Sequence, residues 1–316
     1  MRPANILRIA HPLHAARRLI AMTSASITPP DDFTALLATL RPRLHRYCAR
    51  MAGSALDGED IVQEALAKAA LHYDASVVRQ AEAWLFRIAH NAALDFLRRR
   101  ALERSVFVDA ALEEGVAPGD AEDPRAAAET AAAALAAFMH LPIAQRSAVI
   151  LADVLGHALH EIAELLETSV PAVKVALHRG RARLRELGPQ LARDTPPALP
   201  PEHHARARLY AERFNARDFD GLRALLAEEV RLQLVGRLEM KGKAQVSTYF
   251  GNYARIDGWH VEPAAIEGRT GLWVHEAGGP QPAYFIVLEW GQGGAVQRIV
   301  DFRHARYAVE GVPTGT

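Results

Sequence analysis

The chain has a single cysteine, Cys48, in 316 residues. That excludes an internal disulfide framework and fits a reducing cytosol. Cys48 lies in an apolar helical pattern and reads as inert core. No run of eighteen apolar residues occurs, so no membrane-spanning helix is expected. An excess of either charge is missing too. Lys and Arg number 37, as do Asp and Glu, so any affinity for a polyanion must come from local basic clusters. No constellation fixes a nucleophile, a metal set or an acid–base pair, so no catalytic residue, metal or cofactor is expected.

Half the residues are apolar, enough for real cores, and the length exceeds that of one typical domain. Residues 1–21 carry Arg2, Arg8, Arg17 and Arg18 among short apolar runs and lack a long apolar targeting core. They are expected to be disordered or a mis-assigned start, with Met22 as the natural beginning. A helical pattern fills residues 22–108. Residues 109–125 are acidic and rich in Ala, Gly and Pro, the texture of a linker. Residues 126–188 are helical again, residues 189–202 form a proline-rich linker, and residues 203–316 change texture.

The most informative stretch is His160–Leu187, HEIAELLETSVPAVKVALHRGRARLREL. Ile162, Leu165 and Leu166 share one helical face. Ser169 can cap a second helix, with Pro171 in its first turn. Val173, Leu177 and Leu184 can face inward. Lys174, His178, Arg179, Arg181, Arg183 and Arg185 leave the outside strongly basic. A short helix, a tight turn and a basic second helix suit entry into a major groove. A solvated charged helix over a plain helical hairpin is the alternative. With the upstream LPIAQRSAVILADVLGHAL, the stretch resembles region 4 of the extracytoplasmic-function sigma factors. That resemblance implies that Lys174, His178, Arg179, Arg181 and Arg183 contact the −35 promoter element. Glu167 stands where the family usually has Gly, Pro171 and Ala172 replace a Gly-Thr pair, and Val175 and Ala176 replace polar residues. Base readout is therefore expected to be weaker or differently distributed.

Asp57–Ala70, DGEDIVQEALAKAA, puts Ile61, Val62, Ala65 and Leu66 on one face and Asp57, Glu59, Asp60, Gln63 and Glu64 on the other. Its acidic start also suits the helix dipole without any partner. In AEAWLFRIAHNAALDFLRRR, residues 81–100, Trp84, Leu85, Ile88 and Ala92 form a buried stripe, and Arg87, Arg98, Arg99 and Arg100 a basic flank. Trp84 reads as core, and Asn91 and Asp95 can simply bond each other, whereas three consecutive arginines favour phosphate contact. Together the two segments resemble sigma region 2. The resemblance implies a polymerase-binding face at Asp57, Asp60, Gln63 and Glu64. It also implies a −10 DNA-binding face at Arg87, Asn91, Asp95, Arg98 and Arg99, with RNA polymerase core and promoter DNA as partners.

After the second linker, His203–Ala216 reads as a helix, and NARDFDGLRALLAEEV as a turn and second helix with Phe219, Leu222, Leu225 and Leu226 inward. Strands follow at Val230–Val235, Gly271–His275, Ala283–Trp290 and Val296–Tyr307. YAERFNARDFDGLRALLAEEV, GLWVH, AYFIVLEW and VQRIVDFRHARY resemble the SnoaL-like domains. This implies an α+β cone with a curved antiparallel sheet. The expected fold class is thus multidomain: two all-α sigma domains, region 4 being a helix-turn-helix, plus the cone. Trp259, His260, Trp273, Tyr284, Asp301 and Arg303 are candidates for a pocket that could take a small ligand. Each has a plain alternative: Trp273 and Tyr284 as sheet core, His260 as a surface histidine, Asp301 and Arg303 as an exposed pair.

The expected function is promoter-specific transcription initiation by a cytoplasmic sigma factor, with the cone regulating activity in cis. The alternative is a small-molecule isomerase or cyclase fused to a DNA-binding module. A DNA-binding regulator that ignores polymerase is a third reading, against which the acidic helix at Asp57–Glu64 counts.

Overall fold

The computed structural model describes residues 31–312 apart from 75–77, 79, 108–134, 136, 192–198, 256, 278, 280 and 292. The expectations for residues 1–21 and 109–125, and for residues 192–198 of the second linker, lie outside the described residues. Three helices come first among the described residues: α1 (Asp31–Ala52), α2 (Ala55–His72) and α3 (Ala81–Phe107). Ser54 caps α2, its Oγ accepting from the Asp57 amide at 3.0 Å. Gly58 lets α1 and α2 cross closely, since a Cβ there would lie 2.5 Å from Ala49 Cα.

Next come α4 (Ile143–Val149), a π-helical turn (Ile150–Val154), α5 (Leu159–Leu165) and α6 (Val170–Leu191). The α5–α6 turn passes through Glu167 in the left-handed region, φ +51°, where a residue without Cβ is cheapest. That is the position at which the family resemblance puts Gly. Ser169 Oγ accepts from the Ala172 amide at 3.3 Å, and Val173 and Leu177 are buried against α4.

The two helical units share one apolar cluster, from Phe33 and Leu44 through Phe86 to Ile150 and Ile162. Arg146 ties them together. Its guanidinium, 5% exposed as a residue, donates to the carbonyls of Met51 at 2.6 Å, Met139 at 2.9 Å and Leu141 at 3.0 Å. Arg146→Leu strands these three carbonyls and should cost about 3 kcal/mol or more in chemical denaturation. A loss under about 1 kcal/mol would mean that the carbonyls find other partners.

The C-terminal third begins with α7 (Pro201–Asn215) and α8 (Phe219–Ala224). Six strands follow: β1 (Leu226–Leu234), β2 (Leu238–Lys241), β3 (His260–Ile266), β4 (Arg269–His275), β5 (Tyr284–Trp290) and β6 (Val296–Asp301). Helix α9 (Lys243–Tyr253) separates β2 from β3. The sheet order is β2-β1-β6-β5-β4-β3. Every pair is antiparallel except β1–β6, which is parallel. Register shifts in β1 and beside Trp290 curve the sheet into the expected cone. Helices α7 and α9 fill its inside with Tyr210, Phe214, Tyr249 and Tyr253.

β2, α9 and β3 have no counterpart in the sequence reading, and two segments that it does contain end elsewhere. The second helix stops at Ala224, and Leu226 already pairs in β1, because sheet pairing overrides the helix propensity of LLAEEV. The last strand stops at Asp301 rather than running to Tyr307. Asp301 Oδ1 accepts the Arg303 amide at 2.7 Å, turning the chain into a 3₁₀ helix at Arg306–Gly311.

Candidate functional site

The cone's 3₁₀ helix packs on α1 and on α2, the helix bearing Asp57, Asp60, Gln63 and Glu64, and the outer face of its sheet looks at them across a cleft. At the tip of the β3–β4 hairpin, Glu267 and Gly268 both have positive φ, +49° and +76°. This two-residue turn aims the Glu267 carboxylate at the first turn of α2. It accepts from Ser54 Oγ at 2.6 Å and from the amides of Ala55 at 2.6 Å and Leu56 at 3.3 Å. A carboxylate at a helix N-terminus satisfies unpaired amides and meets the positive end of the dipole.

Further contacts run along the same helix. Asp57 takes Arg100 at 2.9 Å from α3 and Arg269 at 3.3 Å from the cone. Glu59, read from sequence as part of the polar face, is 1% exposed. It pairs with Arg41 and accepts from Tyr307 Oη at 3.0 Å. Arg41 in turn donates to Tyr307 at 2.7 Å. Gln63 accepts from Gln233 at 3.0 Å. Asp60 stays exposed. Glu64 bonds Lys68 at 2.7 Å and Arg99 at 2.9 Å, which together hold its carboxyl below the ordinary value.

His45 is buried beneath this junction, its Nε2 donating to the Ala55 carbonyl at 2.9 Å with the Tyr307 ring beside it. Burial lowers its pKa, with the nearby Glu59 opposing and Arg41 and Arg50 assisting. The folded chain thus keeps His45 neutral at a pH where the unfolded chain takes up a proton. Its contribution is complete above the unfolded pKa of about 6.5 and shrinks as pH falls below it. His45→Gln keeps a donor for the carbonyl and cannot titrate. It should flatten the fall of melting temperature between pH 7 and pH 5. An unchanged slope would assign that fall to other groups, such as His90, which burial also lowers.

The −10 candidates are divided. Asn91 and Arg98 are exposed, and Arg98 pairs with Asp95 at 3.0 Å. Arg99 is occupied by Glu64, while Arg87 donates to the Glu164 carbonyl at 3.1 Å, bridging to the helix-turn-helix. On α6, Lys174, His178, Arg179, Arg181 and Arg183 are all exposed. Arg181 is held in a fork by Asp153 at 2.6 and 2.9 Å, and Arg183 by Glu186 at 3.3 Å. Lys174 and Arg179 make no ion pair among the described residues.

Within the cone, Asp301 is fully buried and accepts from Tyr249 at 2.6 Å and Tyr253 at 2.9 Å. Tyr284 lies 3.1 Å from the Tyr253 hydroxyl. Burial pushes the Asp301 carboxyl up. Trp259 stands edge-on to Tyr253 and Tyr284, with the Arg303 guanidinium 4.5 Å above its ring. Four of the six pocket candidates, Trp259, Tyr284, Asp301 and Arg303, thus come together. Two do not: Trp273 packs on Phe285 on the other side of the sheet, and His260 sits on edge strand β3 beside Glu262 at 3.7 Å. Asp301 itself has no exposed surface, whereas Trp259 and Arg303 are partly exposed. Sequence reading missed Tyr249 and Tyr253, whose i, i+4 spacing on α9 was the available signal, and it missed Glu267.

A helix-turn-helix with a basic second helix, an arginine-flanked helix and a third, sheet-bearing domain define a multidomain DNA-binding transcription protein. The comparisons make the class specific. Residues 36–103 match the family model for Sigma-70 region 2, and residues 131–184 the model for Sigma-70 region 4. The ECF RNA polymerase sigma factor SigW of Bacillus subtilis is 30% identical over 165 residues, covering 49% of this chain and 88% of SigW. SigG of Mycobacterium tuberculosis is 32% identical over 222 residues, 63% of this chain but only 60% of SigG. The crystal structure of the M. tuberculosis sigma factor SigJ aligns at 25% identity and TM-score 0.35, over 84% of this chain and 95% of that one. The chain belongs to the extracytoplasmic-function RNA polymerase sigma factors. Such proteins initiate transcription and are not enzymes. No helix among the described residues is long and apolar enough to cross a membrane.

Proposed function

We propose that this sigma factor brings RNA polymerase core to selected promoters in the cytoplasm, and that its C-terminal cone restrains it in cis. Helix α2 would dock on polymerase through Asp60, Gln63 and Glu64. Helix α3 would engage the −10 element through Arg87, Asn91, Arg98 and Arg99, and α6 the −35 element through Lys174, His178 and Arg179. The observation that carries the reading is the Glu267 carboxylate seated on the N-terminus of α2, beside the Gln63–Gln233 bond. The cone holds the very helix that polymerase would need. The Arg87–Glu164 contact closes the two DNA-reading units on each other in the same arrangement.

The assignment of α6 is tested on promoter DNA. Lys174 and Arg179 make no ion pair with a carboxylate among the described residues, so they are free to neutralise phosphates. Removing one cation from a phosphate lowers the slope of log K against log salt by about one. The Lys174→Ala, Arg179→Ala pair should thus flatten the slope by about two and cut in-vitro transcription by polymerase loaded with the full chain. Unchanged slope and transcription would move −35 recognition elsewhere.

A further inference from the structure

Between the outer face of the sheet and helices α1 and α2 lies a cleft of about 1030 Å³. This is at the upper end for small-molecule sites. Its helical wall has an apolar strip of Leu37, Leu66 and Ala70 with the small residues Ala38 and Ala67 between them, bordered by the polar Thr34, Arg41 and Gln63. Its sheet wall is polar and carries a charge arrangement that the sheet alone does not explain. In the strand register Arg231 stands opposite Lys241 on one side and Arg298 on the other. Like charges facing each other across strands are destabilising. Lys241 is relieved by Glu239 at 3.7 Å, and Arg298 by Glu289 at 3.2 Å and Gln233 at 2.9 Å. Arg231 is exposed and makes no ion pair among the described residues, although Glu229 also lines the cleft.

We propose that this cleft binds a small amphiphilic anion, a carboxylate on a medium-length acyl or similarly apolar body. Its head would lie on Arg231 and Arg298, supplying the anion that Arg231 lacks, and its body against Leu37, Leu66 and Ala70. The two walls face each other across the cleft, so a single free molecule fits and a membrane surface does not. The site is separate from the buried Asp301 on the inner face of the sheet. The inference rests on the docked arrangement proposed above, because one wall comes from each domain. A ligand touching both walls binds the docked form better than the open one and shifts the protein toward it. By reciprocity it weakens polymerase binding by the same factor by which polymerase weakens its own.

Sodium octanoate, with 1-octanol as the neutral counterpart, tests this by calorimetric titration of the full chain. Octanoate should bind saturably at one site. Octanol, and octanoate on Arg231→Glu, should bind at least about fivefold more weakly, and Ala67→Trp, which fills the apolar wall, should abolish binding. Docking is checked separately with Gln63→Cys, Gln233→Cys and a short bismaleimide; the native Cys48 is buried and does not compete. A chain that cross-links yet shows no saturable octanoate binding, or binds octanol or the Arg231→Glu variant equally well, overturns the ligand inference alone. A chain that fails to cross-link overturns the docked arrangement and the cleft with it.

Discussion

A full-length chain carrying Glu267→Gly should bind core RNA polymerase about tenfold or more tightly than the parent chain, and transcribe correspondingly better at limiting polymerase. The substitution is confined to the cone, so the surface of α2 offered to polymerase is unchanged. It also suits the backbone: Glu267 has φ +49° in a two-residue hairpin turn, where Gly is the favoured residue. The cone therefore keeps its fold while losing the carboxylate that accepts three hydrogen bonds from Ser54, Ala55 and Leu56. Hydrogen bonds to a charged group contribute about 1.5–3 kcal/mol each in favourable cases, and the three share one carboxylate. A loss of only about 1.4 kcal/mol from the docked form already moves the equilibrium tenfold. Kinetic binding of core polymerase to both chains reads the effect directly. Equal affinities, with the variant's cone intact by circular dichroism, would mean that the Glu267 contact does not restrain the sigma domains.

The helical two-thirds of this architecture were legible in the sequence because they are local. The stripe of Ile61, Val62 and Ala65, the cap at Ser169 and the basic outside of α6 all follow from 3.6-residue spacing. Glu59 shows where that logic stops. Its position puts it on the polar side of α2, yet it is 1% exposed. The partners that bury it are Arg41 from the preceding helix and Tyr307, 248 residues further along. Helical period tells which side of a helix faces its own core. It carries no information on what a later domain lays over the other side. Asp301 teaches the same lesson from the cone. The sequence marked it as a candidate, but its hydroxyl partners Tyr249 and Tyr253 sit on α9, a helix whose role only the packing reveals. The parallel β1–β6 pairing is likewise non-local, since the two strands are joined through every other strand of the sheet.

Reversing the charges of Asp60 and Glu64 to Arg should abolish the polymerase binding that Glu267→Gly enhances. Asp60 keeps solvent access, but the cone beside it pushes its carboxyl up by burial while Arg298 and Arg269 oppose, so reversal there sets a cation against the cone and leaves the core of the three-helix unit untouched. Glu64 bonds Lys68 and Arg99, and its reversal places three cations together on a partly exposed surface. Exposed pairs of this kind contribute at most about 1 kcal/mol, so the three-helix unit stays folded. A desolvated charge pair at an interface is a different matter: leaving one member unpaired costs about 2–5 kcal/mol, and two reversals are enough to take binding out of range. The background matters. In the parent chain the cone competes for α2, and a weak reversal effect could hide behind that competition. In the Glu267→Gly chain the face is open, so loss of co-purification with core polymerase reports on Asp60 and Glu64 themselves. A folded triple variant that still co-purifies at the level of Glu267→Gly alone would place the polymerase contact on another face. It would also separate the cone's hold on α2 from any competition with polymerase.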